Sequence, residues 1–112
     1  MLPAPLRIRT SQEFAQVISN GVKVVEPGAI IYVCSEKEQP QAAGFIVSKA
    51  IGNAVQRNRV KRKFRAIVAE NLAENQRVVI RARPLARKFS FQDLQQQYLH
   101  AIKIAQQKAQ KC

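Results

Sequence analysis

The chain has 112 residues, of which 46% are hydrophobic, and this length and composition predict a single folded domain rather than a disordered chain. Nineteen lysines and arginines against seven acidic residues give a formal net charge of +12, which favours a polyanionic partner such as nucleic acid. No apolar run approaches the roughly 20 residues that span a bilayer, and the N-terminus lacks the apolar stretch of a signal peptide. We therefore expect a cytoplasmic protein with no membrane partner, one domain over 1–112, and a frayed tail from about residue 106.

The predicted elements follow in the order helix, three strands, helix, strand, helix. Capping residues and helical periodicity predict three helices: one that Thr10 or Ser11 caps and that Asn20-Gly21 stops, one from about Val55 to about Asn75, and one that begins after Ser90. Runs rich in β-branched residues predict four strands: 23–25, 29–34, 42–48 and 77–82. This order is typical of an α+β two-layer sandwich, with the helices on one side of the sheet.

The long central helix combines one apolar stripe with an otherwise cationic surface. The stripe spans an arc of about 100° and is expected to face the core; it consists of Val60, Phe64, Ile67 and Val68. Basic side chains fill the rest of the circle: Arg59, Lys61, Arg62, Lys63 and Arg65, with Arg57 at the edge of the stripe. An ordinary solvated face usually carries acidic partners at four-residue spacing, but no acid occurs between Glu38 and Glu70. This helix is therefore interpreted as a nucleic-acid contact.

The residue types in and before this helix suit phosphate and ribose. Arginine binds phosphate bidentately and stacks on bases. Asn58 can contact a base, a 2′-hydroxyl or a metal-bound water, which makes it a candidate outer-sphere metal contact. Ser48-Lys49 and Gly52-Asn53 precede the helix and can bring backbone N–H groups near phosphates at its N-terminus.

A second candidate set combines aromatic and cationic side chains that suit a single nucleic-acid strand: Arg7, Arg9, Phe14, Tyr32, Arg81 and Arg83. Phe14 could equally be a core residue of an amphipathic helix. Tyr32 alternates with Ile31 and Val33, so it faces the other side of its strand, and whether that side is exposed stays open.

The sequence offers no constellation for catalysis. His100 has no cysteine or carboxylate at ligand spacing and is interpreted as a solvated surface residue. Cys34 and Cys112 lie far apart, so we expect neither a structural disulfide nor a metal site. No catalytic residue and no organic cofactor is predicted, and any hydrolysis must take its reactive groups from elsewhere.

One pattern runs through Gly44–Lys49 and Gly52–Arg62, continues to Arg65, and has Arg57-Asn58-Arg59 at its centre. It resembles the protein subunit of bacterial ribonuclease P, whose motif helix carries this triplet. Supporting matches occur along almost the whole chain: Arg7-Ile8-Arg9, Phe14, Tyr32 and Ala82-Arg83-Pro84. The resemblance implies a left-handed β-α-β crossover around the motif helix, whereas general connection rules favour a right-handed one.

The resemblance also implies a function as the protein subunit of an endoribonuclease. Such a protein binds a large catalytic RNA and the 5′ leader of precursor tRNA, one protein per RNA, and the RNA uses Mg²⁺ to cut the phosphodiester. The residues it assigns to the catalytic RNA are Ser48, Lys49, Asn53, Arg57, Asn58, Arg59, Lys61, Arg62 and Arg65. The residues it assigns to a leader-binding cleft between the sheet and the first helix are Arg7, Arg9, Phe14, Tyr32, Ile46, Arg81 and Arg83.

Some positions depart from the family pattern. Arg81 stands at a usually aliphatic strand position, and Ile18 replaces an aromatic residue. Two alternatives remain open: a ribosomal or other structural RNA-binding protein, and a stand-alone nuclease, which the lack of an acid–base pair disfavours.

Overall fold

The computed structural model describes residues 7–35, 41–73 and 75–108. Its helices and strands are α1 (Ser11–Asn20), β1 (Val22–Val25), β2 (Ala29–Ser35), β3 (Ala42–Ile46), α2 (Ala54–Asn71), β4 (Gln76–Ala82) and α3 (Phe91–Lys108). Short 3₁₀ helices, Lys49–Ile51 and Pro84–Lys88, precede α2 and follow β4. The predicted α+β class and the order of the elements are confirmed. Residues 106–108 of the predicted tail belong to α3, and 109–112 lie outside the described residues.

The four strands form one sheet in the order β1-β2-β4-β3. β2 is antiparallel to both β1 and β4, whereas β3 pairs with β4 in parallel. Because β3 and β4 are parallel neighbours, α2 is the connection of a β-α-β crossover, as expected; its handedness stays an expectation from the family resemblance. At the outer edge of β3 the Ile8 amide donates to the Ala43 carbonyl over 2.9 Å, which extends the sheet with the N-terminal segment.

Helices cover both faces of the sheet. Ile31, Val33, Val78 and Ile80 point to one face and are buried with α2 and α3. Tyr32, Cys34 and Val79 point to the other face, where they pack with Val17 of α1 and with Ile8 and Ala42. The expectation that all helices lie on one side was therefore wrong in this detail. The physical reason is that β2 is a central strand with apolar side chains on both faces, and Val79 of β4 adds to the face that carries Tyr32 and Cys34, so each face needs a cover.

Helical periodicity predicted the side chains that α2 and α3 bury. The stripe of α2 is buried at all four positions: Val60, Phe64, Ile67 and Val68. The predicted stripe of α3 is buried too: Leu94, Tyr98, Ile102 and Ala105. Burial raises the pKa of Tyr98. These side chains and the inner face of the sheet form the main core.

Side-chain caps fix where the helices begin. The Thr10 hydroxyl accepts a hydrogen bond from the Glu13 amide at 3.1 Å, and Ser90 and Asp93 form the predicted reciprocal pair at the start of α3. α2 ends at Asn71, four residues before the predicted end, where the Asn71 side chain donates to the Ile67 carbonyl. Asn75, where the helix was expected to end, adopts a positive φ of 62° immediately before β4.

The expectation of no disulfide was wrong, since Cys34 is disulfide-bonded. Cys34 is buried on the sheet face that α1 covers. The other cysteine of the chain, Cys112, lies outside the described residues. The expectation failed because separation along the sequence does not measure separation in the fold.

Candidate nucleic-acid interface

The outer face of α2, opposite its buried stripe, is cationic over about two and a half turns. Asn58, Lys61, Arg62, Arg65 and Ala66 line a groove of about 390 Å³ along it, which we call the α2 groove. None of these residues is acidic. Helical geometry explains the grouping, because positions three and four apart share one face. The α2 groove therefore presents three cations and one amide to an anionic partner.

The residues that precede α2 have part of their polar groups engaged in the fold. The Asn53 Oδ1 accepts from the Gln56 amide at 2.9 Å, and the Gln56 Oε1 accepts from the Asn53 amide at 3.0 Å. The Ser48 Oγ accepts from the Ala50 amide at 3.3 Å. A side-chain amide and a hydroxyl keep donor protons when their oxygens accept, so Asn53 and Ser48 can still donate to phosphate. Lys49 is exposed.

The sheet face that carries α1 is only partly covered by it. In the sheet register Arg81 lies between Ile30 of β2 and Ile46 of β3, and Val25 continues this row on β1. Arg81 and Val25 are exposed, and Ile30 and Ile46 are half-buried. We call this row, together with Phe14 of α1, the sheet cleft; it offers apolar surface around one central cation.

Two contacts add to the packing of Val17 in holding α1 above the sheet. A Cβ atom at Gly44 would lie 2.5 Å from Cε1 and 2.7 Å from Cζ of Phe14, so the ring of Phe14 rests directly on the backbone of β3. The Arg77 Nη2 donates to the Glu13 Oε2 over 3.1 Å, and the Arg77 side chain is buried beneath α1. This ion pair cannot be predicted from the sequence, since residues 64 positions apart give no local pattern.

The other residues predicted to line the cleft differ in their exposure and in their contacts. The strand pattern left open whether the side chain of Tyr32 is exposed. The structure shows that it is buried, with only 6% exposed. The Arg83 Nη1 donates to the Glu26 carbonyl at 3.0 Å, which ties β4 to the turn between β1 and β2. Arg9 is exposed, and the backbone of Arg7 forms an isolated parallel β-bridge with Ala43. Arg81 and Phe14 are thus more accessible to a nucleic-acid strand than Tyr32 is.

The two predicted sets meet at the outer edge of β3. A cavity of about 180 Å³ is lined by Arg7, Ile8 and Phe14 from the N-terminal part of the chain, by 43–45 of β3, and by Lys61 and Arg65 of α2. We call it the junction cavity. Lys61 and Arg65 were assigned to a different partner from Arg7 and Phe14, yet the fold brings all four together.

Two further cations next to α2, Arg87 and Lys88, were not singled out from the sequence. Lys63, Arg87 and Lys88 join Arg59 around a cavity of about 180 Å³ between α2 and the 3₁₀ helix after β4. The adjacent cations Arg87 and Lys88 are visible in the sequence, but the position of this pair beside α2 depends on the β-α-β crossover. The fold therefore widens the cationic surface beyond the motif helix.

Side chains that could bind a metal ion do not cluster in the part of the chain that the structure describes. No three His, Cys, Asp or Glu side chains lie together there in a way that could hold a metal ion. His100 is exposed, as predicted, and its Nδ1 lies 2.9 Å from the Glu26 Oε2. Within residues 7–35, 41–73 and 75–108, no helix is both long and apolar enough to cross a bilayer.

A family model described as Ribonuclease P matches residues 2–106. The chain belongs to the ribonuclease P protein family. Two of its relatives are ribonuclease P protein components of bacteria. That of Kocuria rhizophila is 36% identical over 108 residues, covering 94% of this chain and 96% of the relative. That of Mycolicibacterium vanbaalenii is 38% identical over 114 residues, covering 96% of each.

Solved structures of ribonuclease P proteins share the fold. The protein from Staphylococcus aureus superposes with a TM-score of 0.78 at 29% identity, covering 89% of this chain and 94% of the other. The protein from Thermotoga maritima superposes with a TM-score of 0.74 at 20% identity, covering 87% and 94%. The family resemblance drawn from the motif helix is confirmed.

Proposed function

We propose that this ribonuclease P protein binds the catalytic RNA subunit through α2 and holds the 5′ leader of precursor tRNA in the sheet cleft. In doing so it assists the endonucleolytic removal of the leader during maturation of the tRNA 5′ end. The observation that carries the proposal is a pair of surfaces with different chemistry, one cationic and one largely apolar, that meet at the junction cavity.

The chemistry of α2 suits a folded RNA. Cations at positions 61, 62 and 65 line the α2 groove with Asn58, and Arg57 and Arg59 lie one turn earlier. Close like charges repel one another unless a polyanion neutralises them, and each phosphate contact releases about one counterion. The arginines add bidentate contacts to phosphate. This surface binds backbone more than base sequence.

The chemistry of the sheet cleft suits a single strand of variable sequence. Apolar and aromatic surface from Ile30, Ile46 and Phe14 can contact any base, while Arg81 can follow the backbone. A strand that leaves the cleft past β3 reaches the junction cavity, where Lys61 and Arg65 of α2 can hold its phosphates. The leader is therefore bound next to the surface assigned to the catalytic RNA.

The chemical step is assigned to the RNA subunit, which would use Mg²⁺. The described residues include no carboxylate cluster that fits such an ion, so we assign none of its ligands to this chain beyond Asn58 as an outer-sphere candidate. The side chains of this protein bind and orient the substrate. We further propose that one protein binds each catalytic RNA and that the complex acts in the cytoplasm.

Reconstitution tests this function directly. Precursor tRNA is incubated with the protein alone, with ribonuclease P RNA alone at moderate Mg²⁺, and with both, and the release of the leader is followed by gel electrophoresis. The proposal predicts faster cleavage by RNA plus protein than by RNA alone, and none by protein alone. Cleavage by the protein alone would instead support a nuclease, and no effect of the protein would support a structural RNA-binding protein.

A further inference from the structure

The cavity between α2 and the second 3₁₀ helix has the composition of an anion site. Six residues line it: Gln56, Arg59, Val60, Lys63, Arg87 and Lys88. Four of them are cations, and none of these six is acidic. Bringing four like charges to one cavity costs electrostatic energy that an anion in the cavity would offset.

Two hydrogen bonds hold cations of this cavity in place before any ligand binds. The Lys63 Nζ donates to the Phe89 carbonyl at 3.2 Å, which links α2 to the end of the 3₁₀ helix. The Arg87 Nη1 donates to the Ile51 carbonyl at 3.0 Å, which links the two 3₁₀ helices. Lysine has three donor protons and arginine five, so both keep donors for a ligand. Side chains already fixed in place lose less conformational entropy on binding.

The floor of the cavity belongs to the rigid part of the molecule. Val60 of α2 and Ala86 of the 3₁₀ helix are both buried in the main core, so the two walls are packed together. The volume of about 180 Å³ is several times the roughly 30 Å³ that one water takes up, so a phosphate group fits. Four of the six lining residues are cations, so the chemistry of the cavity favours a phosphate.

We infer that this cavity binds a backbone phosphate of the catalytic RNA, so that the RNA contact extends from α2 onto Arg87 and Lys88. The inference deepens the proposed function and rests on it. The choice of RNA follows from the topology: the cavity lies beside Arg59 on the sheet face that α2 covers, whereas the sheet cleft lies on the opposite face. A leader in the sheet cleft is thus separated from the cavity by the sheet.

The first test compares two exposed lysines that each lose one charge. Lys88→Ala removes a cation from the cavity, and Lys103→Ala removes one from α3, outside it. The affinity for ribonuclease P RNA is measured by filter binding at several salt concentrations. Lys88→Ala should weaken binding about fivefold at 0.15 M salt, the effect of about one released counterion, and should lower the salt slope by about one. Lys103→Ala should do neither.

A Lys88→Ala variant that binds no more weakly than Lys103→Ala overturns the inference. Arg57→Ala separates this failure from failure of the proposed function, because Arg57 lies on α2 but does not line the cavity. If Arg57→Ala weakens binding and Lys88→Ala does not, the proposed function stands and the inference falls. If the unmodified protein does not bind the RNA, both fall.

The second test identifies the RNA that occupies the cavity. The photo-cross-linker p-benzoylphenylalanine replaces Lys88 or, as the control, Lys103, and each protein is assembled with ribonuclease P RNA and precursor tRNA before irradiation. The inference predicts cross-links from position 88 to the catalytic RNA and few from position 103. Cross-links from position 88 mainly to precursor tRNA contradict the assignment to the catalytic RNA.

Discussion

At the residue scale, the most informative position is Gly44, because the ring of Phe14 occupies the space of a side chain there. Gly44→Ala should displace the ring and destabilise the fold by about 1–3 kcal/mol, the usual cost of overpacking. Urea unfolding monitored by circular dichroism measures this. The matched control is the same substitution in a Phe14→Ala background, where the ring is absent and the Cβ of Ile8, at 3.1 Å, is the close neighbour that remains. An equal loss in both backgrounds would contradict the stacked arrangement.

At the same scale, we predict that Arg57 and Arg59 contribute to RNA binding but not to the stability of the fold. Neither belongs to the buried stripe of α2, so Arg57→Ala or Arg59→Ala should leave the unfolding free energy almost unchanged. Each should lower the slope of log affinity against log salt by about one for ribonuclease P RNA. Binding titrations at four or more salt concentrations measure the slope. An unchanged slope in a folded variant would remove that arginine from the RNA contact.

Single residues also show where sequence reasoning stops. Strand alternation correctly separates Tyr32 from Ile31 and Val33, because successive side chains point to opposite faces. It cannot tell that α1 covers the Tyr32 side, since that depends on contacts such as the Arg77–Glu13 pair, 64 residues apart. The sequence therefore predicted the orientation of Tyr32 but left its burial open.

At the element scale, α2 combines a core stripe with a cationic face, and the stripe is the part that sequence predicts best. Phe64 is fully buried in it, so Phe64→Ala should cost about 3–5 kcal/mol. Arg62→Ala, on the exposed face of the same helix, should cost little. Thermal or urea unfolding of both variants decides the orientation of the helix. Equal, small losses would mean that Phe64 is a surface contact and that the stripe is misplaced.

The surroundings of α2 were harder to predict than the helix itself. Its start follows from the Asn53–Gln56 capping box, a local signal. The end of α2 does not follow from the sequence, because the polar residues after Asn71 would also suit a helix. In the structure the helix ends at Asn71, whose side chain donates to the Ile67 carbonyl. The cavity with Arg87 and Lys88 arises only when the crossover brings the end of β4 beside α2. Local patterns therefore define the helix, and topology defines its neighbours.

At the scale of the whole molecule, helices lie on both faces of the sheet, and the two sides of the molecule differ in their chemistry. α2 and α3 cover one face and carry the cationic groove and cavity. α1 covers part of the other face and leaves the row around Arg81 open. The element order could be predicted from the sequence, but the distribution of the helices over the two faces could not, because it is set by contacts between distant segments.

The central claim is that the sheet cleft binds the leader and α2 binds the catalytic RNA. The most direct measurement is the ratio of holoenzyme affinities for precursor tRNA with a leader of several nucleotides and for mature tRNA, which has none. Arg81→Ala is the appropriate variant, because Arg81 is exposed in the cleft, whereas truncating the buried Tyr32 would perturb the core.

Fluorescence titration of each tRNA against the assembled holoenzyme gives this ratio. Arg81→Ala should weaken binding of precursor tRNA about fivefold at 0.15 M salt and leave mature tRNA almost unaffected, so the ratio falls. Arg59→Ala, assayed at protein concentrations that saturate the RNA, should leave the ratio unchanged. If Arg81→Ala weakened both tRNAs equally, or if Arg59→Ala lowered the ratio as much as Arg81→Ala, the assignment of the leader to the sheet cleft would be contradicted.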